Sequence, residues 1–151
     1  MKTYIQFILK IYMTALINIF LIFFSLIFIL NLLTELEFFK EIQVNSFYPL
    51  YLSLINTPMF VFEMLPFIFL ISTQVFFNNL FSNNEMNILK YSGLKNSKIF
   101  SILSITTFLL GIFLIVIFYN FSSNLKYIYL GLKSNYTAEN RYLAVITNNG
   151  L

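Results

Sequence analysis

Residues 11–33 read "IYMTALINIFLIFFSLIFILNLL" and contain no charged side chain. A helix of roughly 23 residues, at 1.5 Å per residue, is long enough to cross the ~30 Å hydrocarbon core of a bilayer. A signal peptide is the alternative, because Lys2 and Lys10 precede the run, but its apolar region would be only ~7–15 residues long and would end at small residues. The run ends instead in "NLLTELEFFKE" (31–41), which favours a retained membrane-spanning helix.

The composition of the whole chain agrees with a membrane protein. Of its 151 residues, 59% are hydrophobic and only 10% are charged, and the mean hydropathy is +0.81. Soluble domains have about 25% charged residues. The chain has no cysteine and no histidine, which excludes thiol chemistry and removes the commonest general base and metal ligand. We therefore predict no catalytic residue, no metal and no cofactor, and we expect no nucleic-acid partner.

Two further apolar runs predict two more membrane spans. The second covers about 58–81, with Pro58 in its first turn and Pro66 as an internal kink. A lead-in at 47–57 predicts an interfacial turn or a short helix. The third span covers about 99–121. The predicted fold class is an all-α membrane protein with three transmembrane helices.

The distribution of lysine and arginine predicts the orientation. The N-terminus carries Lys2 and Lys10, and the loop between spans two and three carries Lys90, Lys95 and Lys98. The loop between spans one and two has Lys40 among three glutamates. By the positive-inside rule the N-terminus and the second loop are cytoplasmic. The tail carries Lys126, Lys133 and Arg141, which reduces this bias, but alternation places it in the periplasm.

The tail beyond the third span has a different pattern. Residues 141–147, "RYLAVIT", are apolar and β-branched, and Asn-Asn-Gly follows them. This pattern predicts a strand that enters a turn. We accordingly divide the chain into a transmembrane domain, 1–121, and a linker with the beginning of an outer β domain, 122–151, which the chain is expected to truncate.

A polar segment, "SNNEMNILKYSGLKNSKI" (82–99), separates spans two and three. Ser82 and Glu85 have the spacing of a capping box, and Gly93 is placed to end a helix in the left-handed conformation. The segment predicts a short surface helix over about 83–92, which Gly93 ends. It is either an ordinary hairpin connection or a coupling helix that transmits the motion of a cytoplasmic partner, and periodicity does not choose between them.

Three landmarks, in this order, resemble the LptF/LptG family of lipopolysaccharide-export permeases. The first is the proline pair, with "LPF" at 65–67. The second is an N-E-x-x-x-L-x-x-x-G pattern, and the third is the tail "AENRYLAVITNNGL" (138–151), which resembles the opening of the family's periplasmic β-jellyroll. The pattern falls on Asn84, Glu85, Leu89 and Gly93.

The resemblance implies the organisation of that family. Its members have six spans with a jellyroll after the third, and two related permeases pair over a dimer of the ATPase LptB. With LptC, they extract lipopolysaccharide from the inner membrane of Gram-negative bacteria. The chain would then be the N-terminal portion of one permease, and its "NNGL" ending resembles LptG, with LptF as the sister subunit. ATP hydrolysis would belong to LptB.

The resemblance also implies roles for individual residues. Glu85 would be the charged contact of the coupling helix with LptB, and Gly93 would terminate that helix. The implied coupling set is Ser82, Glu85, Met86, Ile88, Leu89 and Gly93, with Met86, Ile88 and Leu89 as its packing face. The candidate residues for the lipid path or for span packing are Asn31, Lys40, Pro58, Glu63 and Pro66.

Two questions stay open at this point. Glu63 either extends to the outer interface, or it lines a cavity that faces lipid or pairs with a residue of a partner permease. The chain is one of three things: an LptG-like permease, its sister LptF, or a small three-span accessory subunit of another membrane complex.

Overall fold

The computed structural model describes the backbone over residues 3–42, 44–45 and 47–149, and the side chains over 4–42, 44–45 and 47–137. These residues form six α-helices and one π-helical segment, Leu114–Phe118, which joins the last two helices without a break. The α-helices are α1 (Thr3–Phe38), α2 (Tyr48–Glu63), α3 (Leu65–Ser82), α4 (Glu85–Tyr91), α5 (Asn96–Phe113) and α6 (Tyr119–Asn149).

Three helical stretches are long and apolar enough to cross a membrane. They are Tyr4–Phe38, Leu65–Ser82 and Asn96–Thr137. This confirms the predicted all-α membrane fold with three spanning helices. The 36 residues of α1 extend over about 54 Å, which is more than the ~30 Å hydrocarbon core, so α1 projects beyond it. Large apolar side chains such as Leu21, Ile29 and Phe108 are more than half exposed, as expected for a surface that faces lipid.

The buried side chains form three clusters along the helix bundle. We call them the N-terminal layer, the middle layer and the far layer. The N-terminal layer includes Ile8, Tyr12, Phe76, Leu80, Met86, Leu89 and Ile99. The middle layer contains Ile27, Val61, Leu65 and Ile68, and the far layer contains Phe39, Leu52, Ile55 and Tyr129. Because α1 contributes side chains to all three, it packs along its length against α2, α3 and α5, while α6 packs mainly against α2 and α4 packs against α3.

The two prolines of the second span behave differently from one another. Pro66 lies in the first turn of α3, and the helix axis breaks at Met64, which confirms the predicted kink. Pro58 lies buried inside α2 rather than in a first turn, because the lead-in residues are already helical from Tyr48. The prediction that Pro58 lies in the first turn of a helix is therefore wrong.

The chain has no strand among the residues that the structure describes. Helix α6 continues to Asn149, so the strand predicted over 141–147 is not formed. A single strand has no neighbour to bond its N–H and C=O groups, whereas a helix satisfies those groups within itself. The helical conformation therefore forms in place of the predicted strand, and the helix that contains the third apolar run continues well past residue 121.

Candidate functional site

Helix α4 is a short element attached to the end of the bundle formed by α1, α3 and α5. Its Met86 and Leu89 are each 4% exposed and belong to the N-terminal layer. Its Ile88 and Tyr91 are 62% and 92% exposed. Of the three apolar residues expected to face a partner, only Ile88 is therefore available to one, and Met86 and Leu89 anchor the helix to the spans instead.

The start of α4 differs from the predicted capping box. The N-cap residue is Asn84, in the left-handed conformation with φ 56° and ψ 13°, and no side chain caps the helix. Ser82 is the last residue of α3, and its hydroxyl donates to the Asn79 carbonyl at 3.3 Å. The chain reverses at residues 83 and 84, between α3 and α4. Ser82 therefore belongs to α3 and Glu85 is the first residue of α4, so the two do not form a capping box. Asparagine tolerates this conformation better than most residues.

The end of α4 has the predicted geometry. Gly93 has φ +81°, a conformation that side-chain-bearing residues rarely adopt. Its N–H donates to the Lys90 carbonyl at 2.9 Å, and the Leu94 N–H donates to the Leu89 carbonyl at 3.1 Å. These bonds satisfy terminal carbonyls of the helix and return the chain toward α5. Leu94 is itself buried in the N-terminal layer, which fixes that return.

Glu85 turns toward the bundle. The residue is partly buried, and its Oε2 atom is buried without a hydrogen-bond partner. It lines a pocket between α1, α3 and α4 together with Lys10 of α1. The carboxylate expected to contact LptB is thus directed at the chain's own first helix.

A charged network lies at the opposite end of the bundle, around Glu35 of α1. Glu35 is 1% exposed, and its Oε1 accepts hydrogen bonds from the Tyr129 hydroxyl at 2.7 Å and from Lys133 Nζ at 2.8 Å. Lys133 Nζ also lies 2.8 Å from the Tyr129 hydroxyl and 4.4 Å from the centre of the Phe38 ring. These contacts join α1 to α6 through the only ion pair among the described side chains.

A second polar chain connects α1, α2 and α6 beside the first. Lys126 Nζ donates to Asn56 Oδ1 at 2.7 Å, and the Asn56 amide donates to Asn31 Oδ1 at 3.3 Å. The Asn31 amide in turn donates to Thr57 Oγ1 at 3.3 Å. Hydrogen bonds between side chains on different helices are a common means of helix association in membranes. Asn31 therefore joins α1 to α2 in this structure, and Pro58, which follows Thr57 in sequence, is buried in α2.

Aromatic side chains close the far layer above these networks. Phe39 packs edge-on against Tyr48 and Tyr136, with ring centres 5.5 and 5.3 Å away. Burial raises the pKa of the Tyr48 hydroxyl, and the neighbouring Tyr136 adds to that rise. Tyr48 is therefore a neutral hydrogen-bonding group at physiological pH. Lys40 is exposed in the turn that follows α1.

Glu63 and Pro66 lie together at the break between α2 and α3. They line a cavity of about 400 Å³ whose other walls are almost entirely apolar: Phe62, Leu65, Phe69, Gly111 and Ile115. Gly111 adds no side chain there, and the π-helical segment begins three residues later. Glu63 is exposed at this cavity. The cavity has the size and lining of a site for a hydrocarbon chain.

The sequence analysis missed Glu35, Lys126, Tyr129 and Lys133. It counted the two lysines only as charges of the tail, because it ended the third span at residue 121. The signal was present in the spacing: residues 126, 129 and 133 share one helical face, and Asn31 and Glu35 are four residues apart on another. Polar residues at helical spacing in both segments predict two faces that meet.

The family model described as "Lipopolysaccharide export system permease LptF/LptG" matches residues 6–150. The chain belongs to the LptF/LptG family. Neither the curated proteins nor the solved structures give a match. The match covers nearly the whole chain, including α4 and both prolines, and it confirms the resemblance drawn from those landmarks.

Family membership defines the broad class of this protein. It is a multi-pass membrane protein of a family of transport permeases, which are not catalytic enzymes. The family belongs to the lipopolysaccharide export system. The match treats LptF and LptG together, so it does not distinguish the two subunits.

Proposed function

We propose that this chain is a permease subunit of the ATP-driven lipopolysaccharide exporter and that α4 is the element through which a dimer of the ATPase LptB moves it. The observation that carries the proposal is the construction of α4. Two buried side chains fix it to the spans, while Ile88 and Tyr91 are left exposed at its outer surface. A helix held in this way moves with the spans when a partner pushes on it.

The residues of the expected coupling set fall into two groups, those exposed on α4 that would contact a partner and those that would hold the helix in position. Ile88, with Tyr91, would contact the ATPase, because aromatic and aliphatic anchors at the centre of an interface contribute most of its energy. Met86, Leu89 and Gly93 would hold the helix in position. Ser82 ends α3, so it would set the distance between the span and the coupling helix.

The lipid path is proposed to run along the break between α2 and α3. The apolar cavity next to Glu63 and Pro66 supports this, because its lining suits an acyl chain. Asn31 and Pro58 would keep α1 and α2 together beside this path, and Lys40 would lie at its outer end. Glu63 lines this cavity, which favours the second of the two roles considered for it.

The proposed assembly and location follow the family. The chain would lie in the inner membrane with the N-terminus and α4 in the cytoplasm, and the tail would be periplasmic. It would pair with a sister permease, as LptG with LptF or the reverse, and it would work with LptC and with membrane lipids. The lysines that flank α4 support this orientation by the positive-inside rule.

The test is co-purification of an LptB-type ATPase with the membrane-expressed chain. The Ile88→Glu variant should reduce the ATPase recovered by at least about tenfold, since it places a charge at the exposed apolar contact. Ile128→Glu is the matched control, because Ile128 is also about half exposed but lies on α6, near the far layer. If wild type and Ile88→Glu recover equal amounts of ATPase, α4 is an ordinary connection between spans.

A further inference from the structure

The pocket between α1, α3 and α4 has a volume of about 280 Å³ and is polar on one side and apolar on the other. Lys10 and Glu85 provide its charges, and Asn79 and Asn83 provide amide groups. Phe7 and Ile11 of α1 form the apolar side. The pocket lies at the end of α3, which finishes at Ser82, and a span that ends there would place the pocket near the lipid headgroups.

The two charges of this pocket do not neutralise each other. Among the described side chains the only ion pair joins Glu35 to Lys133, so Lys10 and Glu85 line one pocket without contact. The buried Oε2 atom of Glu85 also has no donor. Lys10 is exposed and Glu85 is partly buried. An occupant that brings a donor to the part of the Glu85 carboxylate that faces the pocket and an anion to Lys10 would pair both charges.

The chemistry of such an occupant is narrow. It needs a cation with N–H donors and an anion a few bonds away, so that both fit into one small pocket. A phosphoethanolamine group has this form, with a primary ammonium and a phosphate separated by two carbons. A phosphocholine group has the same charges but no N–H to donate, and a phosphoglycerol group lacks the cation.

We propose that this pocket binds the headgroup of a phosphoethanolamine phospholipid. The ammonium donates to the Glu85 carboxylate, and the phosphate lies against Lys10. The acyl chains leave the pocket along Phe7 and Ile11, which continue into the apolar surface of α1. The lipid thereby bridges α1 and the coupling helix, and its binding stabilises α4 on the bundle.

The test is native mass spectrometry of the full chain in detergent micelles, titrated with three phospholipids that share the same acyl chains. The ethanolamine lipid should bind at least about tenfold more tightly than the choline lipid, because a charge-assisted hydrogen bond is worth that factor or more. Glu85→Gln should bring this ratio close to one. Lys10→Gln should weaken both lipids and leave the ratio unchanged.

Two matched controls keep the charge changes comparable. Glu37→Gln and Lys90→Gln remove the same charges from exposed positions outside the pocket, and both should leave the ratio at its wild-type value. A series of headgroups with one, two and three N-methyl groups tests the wild-type chain without any substitution. Affinity should fall as each donor is removed.

Three results would overturn the proposal. Equal affinity of the wild-type chain for ethanolamine and choline lipids would exclude a donor to Glu85. A preference for the glycerol lipid that survives Glu85→Gln would identify a site for the phosphate alone. Displacement of the lipid by soluble glycerophosphoethanolamine at a similar concentration would identify a site for a small metabolite, since the acyl chains would then contribute nothing.

Discussion

The buried pair of Glu35 and Lys133 allows a quantitative prediction about what joins α1 to α6. Lys133→Met leaves the Glu35 carboxylate, which is 1% exposed, with only the Tyr129 hydroxyl as a donor. Removing one partner of a buried ion pair typically costs about 3–5 kcal/mol, because the other charge stays buried and unpaired. We expect Lys133→Met to destabilise the fold by an amount in that range.

The reciprocal substitution should cost less. Glu35→Gln leaves Lys133, whose side chain is 20% exposed, so its ammonium can reach water by a small movement. The loss is then that of charge-assisted hydrogen bonds, about 1.5–3 kcal/mol. The double variant Glu35→Gln/Lys133→Met contains no buried charge, and it should be closer in stability to the wild type than Lys133→Met is. The pair should show a coupling energy of about 2–3 kcal/mol.

The assay is unfolding in mixed micelles, in which an anionic detergent is titrated into a non-ionic one and helix content is followed by circular dichroism. The four chains of the cycle are measured beside Glu37→Gln and Lys90→Met, which remove equivalent charges from exposed positions. Additivity of the two single substitutions within about 0.5 kcal/mol would refute the reasoning. The pair would then contribute no more than an average polar contact in a membrane protein, about 0.6 kcal/mol.

Two further predictions concern the N-terminal layer. Gly93→Ala should destabilise α4 by about 1–2 kcal/mol because Gly93 has a left-handed backbone conformation. A clash is not the reason, since nothing lies within 4 Å of an added Cβ. Amide exchange of α4 is the measurement, and Gly131→Ala on α6, where an added Cβ also meets nothing within 4 Å, is the control. Thr107→Val should cost about 1–3 kcal/mol, because Thr107 Oγ1 lies 3.0 Å from the fully buried Tyr12 hydroxyl and bonds to it. Thr106→Val removes only a bond within its own helix and should cost less in the same unfolding assay, and equal losses would contradict the role of Tyr12.

The sequence predicted what depends on composition and on strong local rules. Long apolar runs predicted three spans, because an α-helix satisfies its backbone hydrogen bonds within a single segment in lipid. Pro66 predicted the break, and Gly93 predicted the end of α4, because each restricts or permits a specific backbone conformation. The helix boundaries were less accurate: α2 begins ten residues before Pro58, and α4 begins at Glu85 and not at residue 83.

The sequence analysis did not find the polar networks because they depend on pairing between distant segments. Glu35 and Lys133 are 98 residues apart, and each looks like an ordinary charge beside a span. Only their burial distinguishes them, and burial depends on how α1 and α6 cross. The same is true of Glu85, whose spacing from Ser82 satisfied a local capping rule while the fold used its carboxylate differently.

The two ends of the bundle therefore differ in how their charges are satisfied. At the far end Glu35 Oε1 bonds to Lys133 and Tyr129 of the same chain, which joins α1 to α6, although Glu35 Oε2 has no hydrogen-bond partner, like Glu85 Oε2. At the N-terminal end Lys10 and Glu85 share a pocket but make no ion pair, and α4 is held to the spans by the apolar burial of Met86 and Leu89, followed by Leu94. Burial of these side chains is enough to fix a short helix to the bundle without an ion pair. A push on the exposed face of α4 would therefore reach the spans through this apolar contact, which is the role proposed for the coupling helix.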